Sequence, residues 1–270
     1  MVPRSIFPLS ANTMDTLVFD IETVPDVVSG RRIYDLHDLD DEHAAKVMFH
    51  KRREQTGESE FLRHHLHRVV AISAVFRHSD QLRVWSLGDA QSSEAEILQR
   101  FFDGIEKYCP TLVSWNGGGF DLPVLHYRAL LHGISAPRYC ETGDNDKEFR
   151  FNNYFGRYHS RHTDLMDVLS SYQARACAPL DELARMYGLP GKLGIDGSDV
   201  WNYYQAGRLA EIRDYCETDV LNTYLVYLRW ELFRGNLDKA AWERENKMVR
   251  TYLQAENKPH LQKFLAAWPE

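Results

Sequence analysis

Cysteine is scarce in this sequence, and no two cysteines lie close together. Four occur in 270 residues, Cys109, Cys140, Cys177 and Cys216, and none forms a CxxC pair. Structural zinc sites and disulfide-stapled scaffolds need such pairs or a higher cysteine content. We therefore predict free thiols in a reducing compartment, with the cytoplasm as the expected location.

Long hydrophobic runs are also missing. No apolar segment approaches the roughly 18 residues of a membrane-spanning helix. Residues 1–13 lack the apolar stretch of a secretory signal. We expect no membrane association. The predicted organisation is an N-terminal extension over 1–13, a main domain over 14–235 and a helical extension over 236–270 that packs on the same domain.

Positive charge is in deficit, because 32 Lys and Arg face 39 Asp and Glu, for a formal net charge of −7. A surface that coats duplex nucleic acid makes many cation–phosphate contacts, so this balance excludes such a surface. It allows a protein that contacts a chain end through bound divalent metals and a few side chains. Carboxylates that hold those metals would themselves add negative charge.

The hydrophobic pattern predicts one α/β domain with a mixed sheet, flanking helices and a helical C-terminal half. Short apolar runs predict strands, and apolar residues at 3–4 residue spacing predict helices. The polar and aromatic segment 140–162 shows no periodicity and is predicted to be a loop. The predicted strands are 16–22, 69–77, 82–87 and 111–115, and the predicted helices are 38–55, 93–108, 122–132, 164–172, 180–187, 200–206, 209–233 and 238–255.

Two acids stand at the end of the first predicted strand, Asp20 and Glu22. Since strand side chains alternate, both point to the same face. Burying two carboxylates is costly unless a cation compensates them, and Mg²⁺ or Mn²⁺ suits all-oxygen ligands. The pair predicts a metal site, and the alternative is an exposed strand end that carries charges.

A glycine-rich turn, residues 115–121 (WNGGGFD), joins the fourth predicted strand to a helix. Its three glycines would let the backbone approach a ligand closely, and Asp121 would lie at the positive end of the helix dipole. The turn has neither a dinucleotide-binding fingerprint nor a P-loop lysine. The alternative is a plain strand-to-helix turn in which Asp121 is the cap.

A third acidic segment lies inside the predicted helix 209–233. Tyr215 and Asp219 are four residues apart and share a helical face. Apolar residues lie nearby, so Asp219 would be poorly solvated without a partner. The alternative is a surface acid beside an ordinary interfacial tyrosine.

Together the three segments resemble the three motifs of the DEDD superfamily of 3′–5′ exonucleases. LVFDIETVPD, SWNGGGFDLPVL and YCETDVLNTYLVYL are similar to the first, second and third motif in turn. The resemblance runs from about residue 16 to about residue 229 and is closest to predicted stand-alone exonucleases related to the proofreading domain of family-B DNA polymerases. One branch of the superfamily has histidine five residues before the last aspartate. Here that position is Asp214, and Tyr215 lies four before, as in the tyrosine (DEDDy) branch.

The resemblance implies a ribonuclease H-like fold and a hydrolase that removes nucleoside 5′-monophosphates from the 3′ end of single-stranded nucleic acid, with DNA favoured. It implies two divalent cations, Mg²⁺ or Mn²⁺. Tyr215 would orient the attacking water, because an ordinary tyrosine pKa of about 10 makes a poor base. Proofreading or repair would need a separate protein partner. The implied metal ligands are Asp20, Glu22, Asp121 and Asp219.

Substrate contacts are predicted in two places. The family's first and second motifs place residues beside the terminal nucleotide. The segment 150–162 interleaves arginines with aromatic residues, which suits phosphate contact and base stacking; the alternative is a solvated loop that buries its aromatics. The predicted substrate-binding residues are Thr23, Val24, Asn116, Phe120, Arg157 and Arg161.

Other residues and other functions also fit parts of the pattern. Asp164 is expected to support the site without binding metal, and His64, His65 and His67 are predicted to be surface or turn histidines because no paired acid or cysteine accompanies them. The alternative functions are an exoribonuclease on short RNA, a non-cleaving module that binds nucleic-acid ends, and a transposase- or resolvase-like endonuclease. All four acids are present, which disfavours the non-cleaving module.

Overall fold

A five-stranded mixed sheet organises the structure, a computed structural model that describes residues 15–269. The predicted extension 1–13 therefore lies outside the described residues. The strand order of the sheet is β3-β2-β1-β4-β5, with β2 antiparallel to both neighbours and β4 parallel to β1 and β5. This arrangement confirms the ribonuclease H-like fold. The strands are β1 (Thr16–Pro25), β2 (His67–His78), β3 (Gln81–Ser86), β4 (Thr111–Ser114) and β5 (His162–Asp164).

Helices cover both faces of the sheet, and most begin and end where local sequence signals place them. Ser93 caps one helix by accepting the Glu96 N–H, and Gly133, with φ of 66°, ends another. The helices are α1 (Val27–Tyr34), α2 (Asp41–Thr56), α3 (Glu94–Tyr108), α4 (Asp121–His132), α5 (Leu165–Leu169), α6 (Leu180–Met186), α7 (Val200–Gln205), α8 (Leu209–Phe233), α9 (Lys239–Ala255) and α10 (Pro259–Ala267). No helix within residues 15–269 is both long enough and apolar enough to cross a membrane.

Alternation along β1 separates the two largest apolar cores, one on each face of the sheet. Phe19 and Ile21 pack on one face of the sheet with side chains of α3 and α4. Val18 packs on the other face with side chains of α8, α9 and α10. Because successive strand residues alternate, Asp20 and Glu22 continue the face of Val18 and are directed towards α8.

Three elements were not predicted from the sequence. The strand β5 begins at His162, the last residue of the segment predicted to be a loop, and its three polar residues carry no hydrophobic run. The helix α1 is short, and its signal is the Asp26 side chain, which accepts the Ser29 N–H at 3.1 Å. The helix α10 starts with Pro259 and buries Leu261 and Phe264.

The last two helices pack against α8 and β3. Four of their apolar side chains, Val249, Leu253, Leu261 and Phe264, are fully buried. At the outer edge of the sheet, the Tyr252 hydroxyl accepts the Val84 N–H at 3.0 Å and donates to the Val84 carbonyl at 3.1 Å.

A polar contact reinforces this packing. Lys258 and His260, at the start of α10, both bind the carboxylate of Glu217 on α8, at 2.9 and 2.8 Å. Glu217 is two residues before Asp219, so α10 is tied to the part of α8 that carries the third motif.

Candidate active site

The side chains of Asp20 and Glu22 project from β1 just before the register of its pairing with β2 changes. The shift lies between Glu22 and Thr23, and such bulges re-aim side chains at a strand end. Glu22 is buried and Asp20 is half-buried. The Cys216 thiol of α8 donates to Asp20 Oδ2 at 3.5 Å. One ligand atom each from Asp20, Glu22 and Cys216 lies within 4.8 Å of the others.

Asp121 joins this site through β1 itself. It is the first residue of α4, and its Oδ1 accepts the Ile21 N–H at 3.2 Å. Ile21 lies between Asp20 and Glu22, so this bond fixes the second motif against the first. Asp121 is 3% exposed.

Asp219 closes the site from α8. It is buried, and its Oδ1 has no hydrogen-bond partner among the described residues. Tyr215 lies one helical turn earlier, is also buried, and hydrogen-bonds with Asp219. The Lys192 ammonium lies 5.9 Å from the centre of the Tyr215 ring. Burial raises the pKa of Asp219 and of Glu22, and the charge of Lys192 offsets part of that rise.

Burial raises the pKa of all four acids, and repulsion within the cluster adds to it at Asp20 and Glu22. Burial, followed by the charges of Asp121 and Asp219, raises the pKa of Asp20 well above its ordinary value. The pKa of Glu22 is raised in the same way, by burial and then by Asp20. Burial raises the pKa of Asp121 to about 7 and that of Asp219 to about 6. Ionising this cluster therefore needs a compensating positive charge.

Asp164 shapes the turn that leads to Asp121. Its two carboxylate oxygens accept the N–H groups of Asn116 and Gly118, each at 2.9 Å. Asn116 has a left-handed backbone, with φ of 62°. A side chain on Gly117 would lie 2.1 Å from Ser114 Oγ, so this turn requires glycine there. The geometry agrees with the supporting role expected for Asp164.

A family model describes predicted 3′–5′ exonucleases related to the exonuclease domain of PolB, and it matches residues 59–268. The chain belongs to this family. The matched stretch contains Asp121, Tyr215 and Asp219. Asp20 and Glu22 precede it, and the sheet brings them to the same place.

Curated relatives agree with this membership in the PolB-related exonuclease family. The chain is 26% identical over 146 residues to the catalytic subunit of DNA polymerase epsilon from Saccharomyces cerevisiae, and 27% identical over 145 residues to the corresponding proteins of Emericella nidulans and Aspergillus fumigatus. Each match covers 52% of this chain and 6% of the relative. A family B DNA polymerase structure from Pyrobaculum calidifontis shares 18% identity at a TM-score of 0.47, and the match covers 94% of this chain and 27% of that one.

The predicted contacts to the terminal nucleotide occupy three kinds of position. Thr23 and Phe120 lie at the edge of the site and are partly exposed; the Thr23 hydroxyl is 2.9 Å from His67 Nδ1. Asn116 lies in the turn held by Asp164. The Val24 side chain is 2% exposed and packs with Ile212 and Cys216 of α8, so its side chain is not available to a nucleotide, contrary to the prediction.

The structure corrects the prediction for one of the three histidines. His67 is buried at the start of β2, with ring nitrogens 2.9 Å from Thr23 Oγ1 and 3.1 Å from the Leu62 carbonyl. Burial lowers its pKa to about 4, so it is neutral at pH 7. His64 is a turn residue as predicted, and its Nε2 lies 2.9 Å from the Gly119 carbonyl. His64 and His67 contact the glycine-rich turn, at the Gly119 carbonyl and the Phe120 ring. Because the turn is about 50 residues away in sequence, no local motif signalled these contacts.

The arginines predicted to contact phosphate have protein partners. Arg161 is buried; its guanidinium lies 3.8 Å from the centre of the Phe149 ring and bonds the Asn152 carbonyl at 2.7 Å. Arg157 is exposed but forms a two-bond pair with Asp167 at 2.8 and 2.9 Å. It lies at a cavity of about 370 Å³ next to Asn116.

Lys192 was not predicted as a site residue. No motif contains it, and it reaches the acids because Asn222, on α8, binds both the N–H and the carbonyl of Gly191, at 3.2 and 2.9 Å. Asn222 is three residues after Asp219, so the same helix positions the third motif and the cation beside it. The only sequence signal was an amide side chain inside a buried helix.

Proposed function

We propose that this chain is a two-metal 3′–5′ exonuclease of the tyrosine type that hydrolyses single-stranded nucleic acid from its 3′ end, with DNA as the favoured substrate. The observation that carries the proposal is the convergence of Asp20, Glu22, Asp121 and Asp219 from three separate elements into one buried cluster. Burial of several carboxylates without enough cationic partners is typical of a site that binds metal.

The residues present fit divalent metal ions. Asp219 Oδ1 is buried without a hydrogen-bond partner in the described part of the chain, residues 15–269, and all four acids offer oxygen, the ligand that Mg²⁺ and Mn²⁺ prefer. Burial raises the pKa of the Cys216 thiol, so it stays protonated and donates to Asp20. When bound, two ions would supply the positive charge that activates water and stabilises the leaving 3′ oxygen.

Tyr215 is proposed to hold the attacking water. Its pKa is raised above the ordinary value by burial and by the charges of Asp219 and Glu22, so the hydroxyl stays neutral. A neutral hydroxyl positions water by hydrogen bonding and cannot remove its proton.

Lys192 is proposed to offset part of the negative charge. Its pKa is raised by bonding to Asp196 and by the charges of Asp219 and Asp196, against the effect of burial. It therefore remains an ammonium ion beside the acids. Thr23, Asn116 and Phe120 are proposed to contact the terminal nucleotide from the rim of the site.

Matched 5′-labelled DNA and RNA oligomers test the proposal. With Mg²⁺ or Mn²⁺, the wild-type protein should shorten DNA one nucleotide at a time. Asp20→Ala/Glu22→Ala should lose at least about 10³-fold in rate, because the charge stabilisation of the transition state depends on the cations that these acids hold. The control Asp144→Ala/Glu243→Ala removes two exposed acids elsewhere and should retain full activity.

Each result of this assay has a defined meaning. A ladder on RNA and none on DNA would identify an exoribonuclease. Binding without a ladder on either would identify a non-cleaving module. Full activity of Asp20→Ala/Glu22→Ala would contradict the proposed mechanism.

A further inference from the structure

A band of exposed aromatic rings begins beside the proposed active site. Phe61 is 56% exposed, and its ring centre lies 5.4 Å from that of Phe120. Tyr127, on α4, is 50% exposed and contacts the His65 ring at 5.9 Å. Large aromatic side chains at the surface next to a nucleic-acid site suit base stacking.

The chain that carries Phe61 is fastened to the site. His64 lies 2.9 Å from the Gly119 carbonyl and His67 lies 2.9 Å from the Thr23 hydroxyl. Phe61 is thus held near both the glycine-rich turn and the end of β1. These two contacts join its segment to Gly119, two residues before Asp121, and to Thr23, the residue after Glu22.

Helix α4 extends this surface away from the acids. Phe120, Tyr127 and Leu131 are spaced i, i+7 and i+11 and so lie along one side of the helix. At a rise of 1.5 Å per residue, Leu131 lies about 15 Å from Asp121. For a single strand whose bases stay stacked at the rise of about 3.4 Å per nucleotide found in B-DNA, that length spans roughly four phosphates.

The far end of this side of α4 reaches a basic cavity. Leu131, Arg32 and Arg68 line a cavity of about 380 Å³. Both arginines are exposed and have no side-chain partner among residues 15–269. They differ in this from Arg157 and Arg161, whose guanidinium groups are already bonded.

The acids in that cavity do not cancel the two arginines. Glu94 accepts two hydrogen bonds from Arg128, at 2.7 and 2.6 Å, and one from the Val69 N–H at 2.7 Å. Asp26 pairs with the same Arg128. Arg128 offsets one of these two negative charges, and with Arg32 and Arg68 the lining has three guanidinium groups against two carboxylates. Arg32 and Arg68 therefore leave an excess positive charge that can bind an anion.

We propose that Phe61, Tyr127, Arg32 and Arg68 form an upstream surface that binds the single strand 5′ of its terminal nucleotide. Phe61 and Tyr127 stack on bases, and Arg32 and Arg68 bind phosphates about four nucleotides from the cleaved bond. This inference rests on the proposed function for the direction of the strand. It gives the acidic protein a local cationic contact without a broad basic surface.

The test compares a short and a long substrate on the full chain. Arg32→Ala/Arg68→Ala should bind a single-stranded octanucleotide more weakly and lower the slope of log affinity against log salt by about 1.4, since each lost phosphate contact removes about 0.7. Phe61→Ala/Tyr127→Ala should weaken octanucleotide binding at least about tenfold. Arg32→Ala/Arg68→Ala should hydrolyse a dinucleotide with wild-type kcat/KM, because a dinucleotide does not extend to the two arginines.

Matched controls remove similar groups elsewhere. Arg244→Ala/Lys247→Ala removes two exposed cations of α9, and Phe233→Ala removes a ring that is 81% exposed; neither should change octanucleotide binding. Binding is measured by fluorescence anisotropy with Ca²⁺ in place of Mg²⁺, so it is read independently of cleavage.

Two results would overturn the upstream surface: wild-type octanucleotide affinity and salt slope in Arg32→Ala/Arg68→Ala, or an equal loss on the dinucleotide. A wild-type protein that binds the octanucleotide but cleaves neither substrate would contradict the proposed function alone. The binding measurements would still decide the upstream surface in that case.

Discussion

Burial and metal binding favour opposite protonation states of each acid in the cluster. Burial raises the pKa of Asp121 and Asp219 to about 7 and about 6, so holding them ionised at neutral pH costs folding free energy. The same ionised oxygens are what a divalent cation requires. The metal-free protein should therefore be less stable than the metal-bound protein, and each acid should contribute to that difference.

Asp219→Asn should stabilise the metal-free protein. An acid whose pKa is higher in the folded state binds its proton more tightly there, so stability falls as pH rises from the unfolded value of about 3.9 through about 6. At pH 7 the substitution should increase the free energy of unfolding of the metal-free protein by about 1–3 kcal/mol and raise its Tm in EDTA. It should also abolish the rise of Tm on adding Mn²⁺. Asp144→Asn, at an exposed site, should change neither melt; a lower Tm for Asp219→Asn in EDTA would contradict the argument.

Metal affinity should rise with pH between about 6 and 8. The raised pKa values of Asp121 and Asp219 mean that protons compete with the cation in this range, and binding releases them. Calorimetric titration with Mn²⁺ in two buffers of different ionisation enthalpy measures the released protons. An affinity that stays constant across this interval would show that the acids are already ionised in the metal-free protein.

Tyr215→Phe separates positioning from proton removal. Loss of the hydroxyl should lower kcat by roughly 10²-fold while KM stays near wild type. The alkaline limb of the pH–rate profile should be the same in wild type and variant, because burial and nearby acids keep the wild-type hydroxyl neutral. Disappearance of an alkaline pKa in the variant would instead identify Tyr215 as a titrating base.

Among the structural elements, the turn between β4 and α4 depends on one carboxylate from a neighbouring strand. Asp164 ends β5 and binds two N–H groups of the turn. This turn fixes where α4 begins, and there Asp121 accepts the Ile21 N–H. Two sequence-distant segments therefore fix a single ligand.

Asp164→Ala should loosen this turn. The N–H groups of the half-buried Asn116 and the exposed Gly118 would lose their carboxylate acceptor, at about 0.5–1.5 kcal/mol each, so thermal unfolding should occur a few degrees lower. Activity should fall through kcat while Mn²⁺ still stabilises the protein, because Asp164 is not proposed to bind metal. Asp164→Asn keeps one carbonyl acceptor, so its Tm and its kcat should lie between those of the wild type and of Asp164→Ala. Complete loss of the Mn²⁺ effect in both variants would instead identify Asp164 as a ligand.

The elements also show which signals the sequence carries. The long helix Leu209–Phe233 was predicted with its observed bounds. Its apolar pattern marks where the helix begins, and the loop that follows marks where it ends. The strand β5 was not, because its three residues pair only through contacts with β4 that are distant in sequence. Likewise the acids could be predicted from their motifs, whereas Lys192 reaches the site through Asn222 and no local pattern records that bond.

At the scale of the whole molecule, the last two helices complete one of the two cores. Val249, Leu253, Leu261 and Phe264 pack on the sheet face that also holds Val18. Full burial of each such side chain contributes about 1.5–3 kcal/mol. Their sum, roughly 6–12 kcal/mol, is as large as the typical net stability of a domain, about 5–15 kcal/mol.

A chain that ends at residue 236 should therefore fail to fold cooperatively. Circular dichroism should show no sigmoidal thermal transition, because the truncation exposes the face of α8 that these helices cover. The milder variant Leu261→Ala should remain folded with about 2–5 kcal/mol less stability, which separates core loss from removal of the whole segment. A cooperative melt of the truncated chain near the full-length Tm would show that residues 14–235 are an independent unit.

The two hydrogen bonds of the Tyr252 hydroxyl also bear on aggregation in concentrated solution. An outer strand with free N–H and carbonyl groups is a template on which another chain can add a strand and begin aggregation. At Val84 both groups already bond to Tyr252, so a second β-strand has no place to pair at this point of β3. The helix that completes the core thus also protects the sheet against self-association.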